Sequence, residues 1–230
     1  MKKIIIAIDG PAGSGKSTSA KIVAEKLNYI YIDTGAMYRA ITLKWLKSSF
    51  ELNSDNLKFI TDNSVIELIP SENGQKTILD GKDVSFDIRT PEVTKFVSPV
   101  SADYYVREKL VEQQRLIGKN GGIVMDGRDI GTVVFPNAEL KIYLVASIEA
   151  RTKRRLKEML EKGINITEDE VRKLIVERDI YDSTRDVSPL KKAIDAIEID
   201  TSNITIEEQT NKILELANKI IGEKNESNNK

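Results

Sequence analysis

Ile4-Ile5-Ile6-Ala7-Ile8-Asp9-Gly10-Pro11-Ala12-Gly13-Ser14-Gly15-Lys16-Ser17 decides how the chain folds. Its first five residues are apolar and mostly β-branched, the composition of a strand buried on both faces of a parallel sheet. Gly10 to Ser17 fit G-x-x-x-x-G-K-[ST] without a mismatch. After them Ile22, Val23 and Leu27 share one face of a predicted helix from Ser17 to Leu27. A Gly-rich turn between a strand and a helix is the setting in which this motif binds a nucleoside triphosphate. Glycine lets successive N–H groups turn inward onto phosphate oxygens, and the helix start adds positive partial charge. Lys16 is then placed for the β- and γ-phosphates, and the Ser17 hydroxyl for Mg²⁺.

Working outward, strands alternate with helices. Tyr29–Ile32, Ile123–Asp126, Leu140–Val145 and Ile197–Asp200 read as further strands. Helices are predicted over 36–47, 104–116, 148–162 and 168–183, the last opened by the capping box Thr167-x-x-Glu170. A final helix follows Thr205-x-x-Glu208, and residues 223–230 read as a disordered polar tail. The rhythm implies a three-layer α/β/α fold around a central parallel sheet. The stretch of about 50–90 breaks it. Residues 65–69 and 77–79 flank Asn73-Gly74, and Asp80-Gly81 follows, a pattern of short antiparallel strands inserted into the main domain. From Pro91 a helix is expected that breaks near Pro99.

Composition narrows the chemistry. The 230 residues contain no Cys and no His. Disulfides, thiolate or imidazole metal sites and a Ser-His-Asp triad are excluded. Proton transfer is left to Asp, Glu, Lys or water. A net charge of −1 and 6% aromatic residues argue against a nucleic-acid module. The opening apolar run is too short for a signal peptide and is ended by Asp9, and no stretch reaches the roughly 18 apolar residues of a membrane span. A cytoplasmic protein without a membrane partner is expected, with a monomer as the default.

Most basic residues are Lys, so the Arg positions carry information, because only Arg offers a planar fork for phosphate. Arg39 follows a strand end at Asp33-Thr34-Gly35, and Arg128 follows the strand end at Asp126. Arg178, Asp182 and Arg185 are spaced to share one helical face, and Arg154 and Arg155 sit in a basic helix suited to a lid. Strand ends at the C-terminal edge of a parallel sheet are where α/β ligands bind. A transfer between two phosphates needs such a set, because two anions must be brought together. Asp126 resembles a Walker-B acid, although Gly127-Arg128-Asp129 departs from the plain pattern. Asp9 is assigned a structural role.

Together these strings resemble the bacterial cytidylate kinases, of the nucleoside monophosphate kinase group. The carriers are residues 8–18, Asp-Thr-Gly-Ala-Met-Tyr-Arg at 33–39, Ile-Arg-Thr-Pro-Glu-Val at 88–93, Val-Arg-Glu at 106–108, Asp-Gly-Arg-Asp-Ile-Gly-Thr-Val-Val-Phe-Pro at 126–136 and Glu-Arg-Asp-x-x-Asp-x-x-Arg at 177–185. The resemblance implies a P-loop NTPase core at about 1–45 and 118–222, an inserted NMP-binding domain at about 46–117 and a helical lid at about 151–186. It implies that Gly10, Pro11, Ala12, Gly13, Ser14, Gly15, Lys16, Ser17 and Thr18 hold ATP, with Mg²⁺ on Ser17. Thr34, Arg39, Arg128 and Arg185 would surround the CMP phosphate. Ser98, Arg107 and Asp129 would read cytosine, and Arg178 and Asp182 would address the pentose. Either Arg154 or Arg155 would act from the lid. The implied reaction is transfer of the ATP γ-phosphoryl group to CMP or dCMP. A carboxylate at Asp129 suits the cytosine N4 amino donor and disfavours uracil, which argues against a UMP or dTMP kinase. A GTP-dependent switch is disfavoured because Asn211-Lys212 is followed by Ile213-Leu214, without the guanine-reading N-K-x-D.

Overall fold

The computed structural model describes residues 3–72, 74–161 and 163–227. Asn73 of the predicted hairpin and Lys162 of the predicted basic helix lie outside the described residues, as do 228–230 of the predicted tail. The central sheet contains β1 (Ile5–Asp9), β2 (Ile30–Asp33), β6 (Ile123–Gly127), β7 (Leu140–Val145) and β8 (Ile197–Asp200). Their order is β2-β6-β1-β7-β8, and every pairing is parallel. The opening strand is therefore the middle strand, as its unbroken apolar run predicts. Alternation along it divides the core. Ile4, Ile6 and Ile8 pack with Val23 of α1 (Lys16–Leu27) and Ile213 of α8 (Ile206–Ser227). Ala7 joins Ile32, Met125 and Ile130 on the other face.

The interruption contains α3 (Ser54–Asp62) and an antiparallel sheet of β3 (Ile66–Ser71), β4 (Gly74–Leu79) and β5 (Lys82–Asp83). A 3-10 turn, Asp87–Arg89, leads into α4 (Pro91–Ala102), and α5 (Tyr104–Gly118) returns to the core. The spine of this region is α2 (Thr34–Leu46), which begins at the end of β2. Its Met37 and Ile41 pack against Leu57, Val97 and Leu110, and its Ala36, Ala40 and Leu43 against Leu79, Val84 and Val93.

The expected break at Pro99 is a correction. Helix α4 continues through Pro99 to Ala102 and ends at Asp103. Proline forfeits one helical hydrogen bond, at a cost of about 3 kcal/mol. Burial of Val93, Val97 and Val100 offsets it, at roughly 1.5–3 kcal/mol for each side chain. The end of the chain differs too, because α8 runs on through Ser227 and covers the start of the stretch read as a disordered tail.

The remaining helices are α6 (Ile148–Glu161) and α7 (Glu168–Thr184), whose capping box at Thr167 and Glu170 is formed. Among the described residues no helix is long and apolar enough to cross a membrane.

Candidate active site

The loop after β1 is held open by glycine. Gly10, Gly13 and Gly15 have φ of 155°, 76° and 87°. A Cβ on Gly10 would press into the Leu144 carbonyl oxygen. Helix α1 starts at Lys16 with no side-chain cap and no acid in its first turn. Its N–H groups are left for an anion. Around the loop, Ser14 is buried and its hydroxyl donates to the Pro11 carbonyl at 3.1 Å, as does Lys16 Nζ at 3.1 Å. Thr18 is exposed on the first turn of α1. Lys16 is buried, and burial followed by Arg128 pushes its titration down to about 7.

Beside the loop, at the end of β6, the Ser17 hydroxyl donates to Asp126 Oδ2 at 2.7 Å and the Tyr31 hydroxyl to Asp126 Oδ1 at 2.8 Å. Thr34 Oγ1 donates to the Asp126 carbonyl at 2.9 Å, fastening α2 to β6. Asp33 is the register partner of Asp126 across β2 and β6. A hydroxyl and a carboxylate in contact are hard oxygen donors that suit Mg²⁺, which otherwise keeps water and phosphate ligands. Among the described residues there is no cluster of three or more acidic side chains that would form a closed protein cage.

The residues just beyond β6 build a second cluster. Asp129 is buried and bonded to Arg107 Nη2, with side-chain exposures of 6% and 3%. Arg107 also donates to the Ser101 carbonyl at 2.9 Å, and its guanidinium lies 5.2 Å from the Tyr38 ring centre. Ser98 stands one turn earlier on α4, its carbonyl accepting from Ser101 Oγ at 3.0 Å. Arg185 Nη2 is 4.0 Å from Asp129 Oδ1. Arg128 turns the other way, with Nε donating to Asp182 Oδ2 at 2.8 Å, and Arg178 Nε lies 3.7 Å from the same oxygen. Burial raises Asp182, but the Arg128 and Arg178 guanidiniums outweigh it and hold the carboxyl below its ordinary range.

One expectation is corrected here. Helix α7 ends at Thr184, so Arg185 does not share a helical face with Arg178 and Asp182. Its backbone is extended, and its guanidinium donates to the Ser188 carbonyl at 2.9 and 2.6 Å. The turn leaves its Nη2 4.0 Å from Asp129 Oδ1.

Arg39 Nη1 donates to Thr94 Oγ1 at 2.9 Å and to the Ile88 carbonyl at 3.4 Å. Burial and then Arg178 push its titration down to about 9, while burial and then Arg128 push Arg178 down to about 10. Arginine keeps its proton at neutral pH. The cause is partial burial together with crowding of like charges, a cost that a bound phosphate relieves. Arg178 Nε is buried without a hydrogen-bond partner, as such a site requires.

The two lid candidates separate. Arg154 reaches backward to the Thr201 hydroxyl at 3.1 Å, the Thr201 carbonyl and the Gly13 carbonyl at 3.4 Å. Arg155 pairs with Glu158 at 2.6 Å, and its charge lies near enough to Arg39 and Arg178 to add to the lowering of both.

Several contributors escape the sequence motifs. Arg151 bonds the Ala12 carbonyl at 3.3 Å and pairs with Asp179. Thr201 Oγ1 donates to the Ser14 carbonyl at 3.1 Å, and Gln209 Nε2 donates to Ser19 at 2.6 Å behind the loop. Asp9 accepts from the N–H groups of Ile130 and Gly131 at 2.8 and 2.7 Å, holding the π-helical turn Ile130–Val134 that follows Asp129. Arginine in a Lys-rich chain was the available signal for Arg151; Thr201 and Gln209 carried none.

A phosphate loop at the end of the middle strand, beside a cluster of half-buried arginines, defines a P-loop kinase. Within that class the chain belongs to the cytidylate kinase family, whose model matches residues 6–219. The cytidylate kinase of Bacillus pumilus (strain SAFR-032) is 53% identical over 220 residues, covering 95% of this chain and 98% of that protein. The enzyme of the same name from Bacillus subtilis (strain 168) is 52% identical, covering 93% and 96%. That of Enterococcus faecalis (strain ATCC 700802 / V583) is 54% identical, covering 90% and 92%.

Proposed function

We infer that this protein transfers the γ-phosphoryl group of ATP to the phosphate of CMP or dCMP, giving ADP and CDP or dCDP. The observation that carries the reading is the buried Arg107–Asp129 pair, set one residue beyond Arg128 and on the same strand end as Asp126. The pair can offer a donor and an acceptor to one base, which supports the reading. Cytosine presents an N4 amino donor to Asp129 and O2 and N3 acceptors to Arg107; uracil reverses the first of these. A site whose buried polar groups are left unpaired by the wrong base discriminates strongly.

The chemistry is positioning and charge neutralisation. The N–H groups from Gly10 to Thr18 cradle the ATP phosphates, and Lys16 moves from the Pro11 carbonyl to the β- and γ-oxygens. Thr34, Arg39, Arg128 and Arg185 gather around the acceptor phosphate, with Ser98 beside the base and Arg178 and Asp182 toward the pentose. Ser17 and Asp126 would hold Mg²⁺, which supplies charge neutralisation across the β- and γ-phosphates. Arg155, whose charge reaches Arg39 and Arg178, stabilises the group in transit, while Arg154 braces the loop from behind. The protein works in the cytoplasm as a monomer on small-molecule substrates.

The test is ADP release with MgATP and each of CMP, dCMP, UMP, dTMP, AMP, GMP or no acceptor. Turnover confined to CMP and dCMP is expected. Equal turnover with UMP would overturn the base-reading role of Asp129. Absence of acceptor-dependent turnover would overturn the kinase reading.

A further inference from the structure

Asp33 is where the inserted region takes hold of the core. Its N–H donates to Gln75 Oε1 of β4 at 3.0 Å, and its Oδ2 pairs with Arg89 Nη2 of the 3-10 turn at 2.8 Å. Its Oδ1 accepts from Ala36 N at 3.2 Å and caps α2. On its core side Asp33 neighbours Asp126, whose carboxylate holds Ser17. Two acids side by side at the mouth of a phosphate loop call for positive charge, and Arg89 supplies part of it to Asp33.

The turn carrying Arg89 is itself fixed to the acceptor side. Ile88 is buried, and its carbonyl accepts from Arg39, which holds Thr94 as well. Arg89 is thus anchored by its backbone next to Arg39 while its long side chain reaches away to Asp33. That side chain is 51% exposed, so it can swing without disturbing the core. The Asp33 side chain is 14% exposed and stays fixed at the α2 cap, so the Arg89 end of the pair is the one free to exchange.

We propose that the Arg89–Asp33 pair is a latch between the two substrate sites, in which Asp33 holds Arg89 while the phosphate loop is empty and releases it toward the acceptor phosphate once a divalent cation arrives at Ser17 and Asp126. The cation provides the charge that Asp33 and Asp126 share, so Arg89 is no longer needed there. Freed beside Arg39, it adds a second fork to the acceptor anion. By linkage, CMP must then favour metal–nucleotide binding by the same factor. The latch rests on the assignment of CMP as the acceptor.

Calorimetric titration of CMP tests it, with a non-hydrolysable ATP analogue present either with Mg²⁺ or with EDTA. In the wild-type protein Mg²⁺ is expected to tighten CMP binding by about fivefold, the scale of exchanging one partly exposed ion pair. In Arg89→Gln the gain should fall below about twofold. Asp33→Asn, which keeps an oxygen for the α2 cap, should lose the gain equally, and the double variant should lose no more. A full gain retained in Arg89→Gln would overturn the latch. So would a loss of CMP affinity of the same size with and without Mg²⁺, which is what a purely structural pair produces. CMP binding by the wild-type protein that is indifferent to Mg²⁺ would overturn the latch alone. Failure of CMP to bind under every condition would overturn the acceptor assignment and the latch with it.

Discussion

Arg107 and Asp129 lie 22 residues apart and form a bonded pair sealed from water at the end of β6. Each partner neutralises the other in the free protein, and the proposed function gives the pair a second role, reading the base. Asp129→Ala should lower kcat/KM for CMP by about a hundredfold or more, while the KM for ATP changes little. It should also destabilise the protein by about 3–5 kcal/mol, because a buried guanidinium loses its counter-ion. Steady-state kinetics and thermal unfolding check both. Equal loss on both substrates would assign the pair to stability alone.

Arg154 and Arg155 make separable predictions. The charge of Arg155 reaches Arg39, so under the proposed function Arg155→Ala should reduce kcat by about 10²–10³-fold with little change in KM for ATP, as for loss of one transition-state donor. Arg154 grips Thr201 and Gly13, so Arg154→Ala should act mainly through the KM for ATP. The reverse assignment in the two variants would sink this division of labour.

Gly10→Ala tests the loop. The φ of 155° and the approach of the Leu144 carbonyl leave no room for a methyl group. The loop must shift, and ATP binding measured by calorimetry should weaken by at least about tenfold, equivalent to about 1.4 kcal/mol. Unchanged affinity would show that the loop adapts without cost.

Asp9 makes a prediction about pH. Burial pushes its carboxyl from 3.8 to about 7 against the pull of the Gly131 and Ile130 N–H groups. The folded chain then binds this proton more tightly than the unfolded chain between those values. Stability from this group is present at low pH and lost as pH rises through about 7. Relative to Asp9→Asn, the wild-type protein should lose melting temperature between about pH 4 and about pH 7 and level off above that. A difference in Tm that is flat with pH would refute the assignment.

Much of this was legible in the residues. The apolar run at 4–8 and the glycines at 10, 13 and 15 each have a local cause, steric or apolar, that needs no partner. Arg128, Arg178 and Asp182 meet in the structure because strand ends and helical spacing place side chains predictably. Arg185 was misplaced because the spacing rule holds only inside a helix, and α7 ends one residue earlier. Pro99 was misjudged because local propensity predicts a break that burial of three valines overrides.

By itself the sequence determined the alternating architecture, the phosphate loop and the stock of arginines, since periodicity and glycine chemistry act within a few residues. Only the tertiary structure decided which charges meet. It set Arg107 against Asp129, Arg128 against Asp182 and Arg89 against Asp33, and it tied Arg154 to Thr201 while Arg155 pairs with Glu158. The energy of an ion pair depends on distance and dielectric, and neither quantity exists until distant segments are packed together.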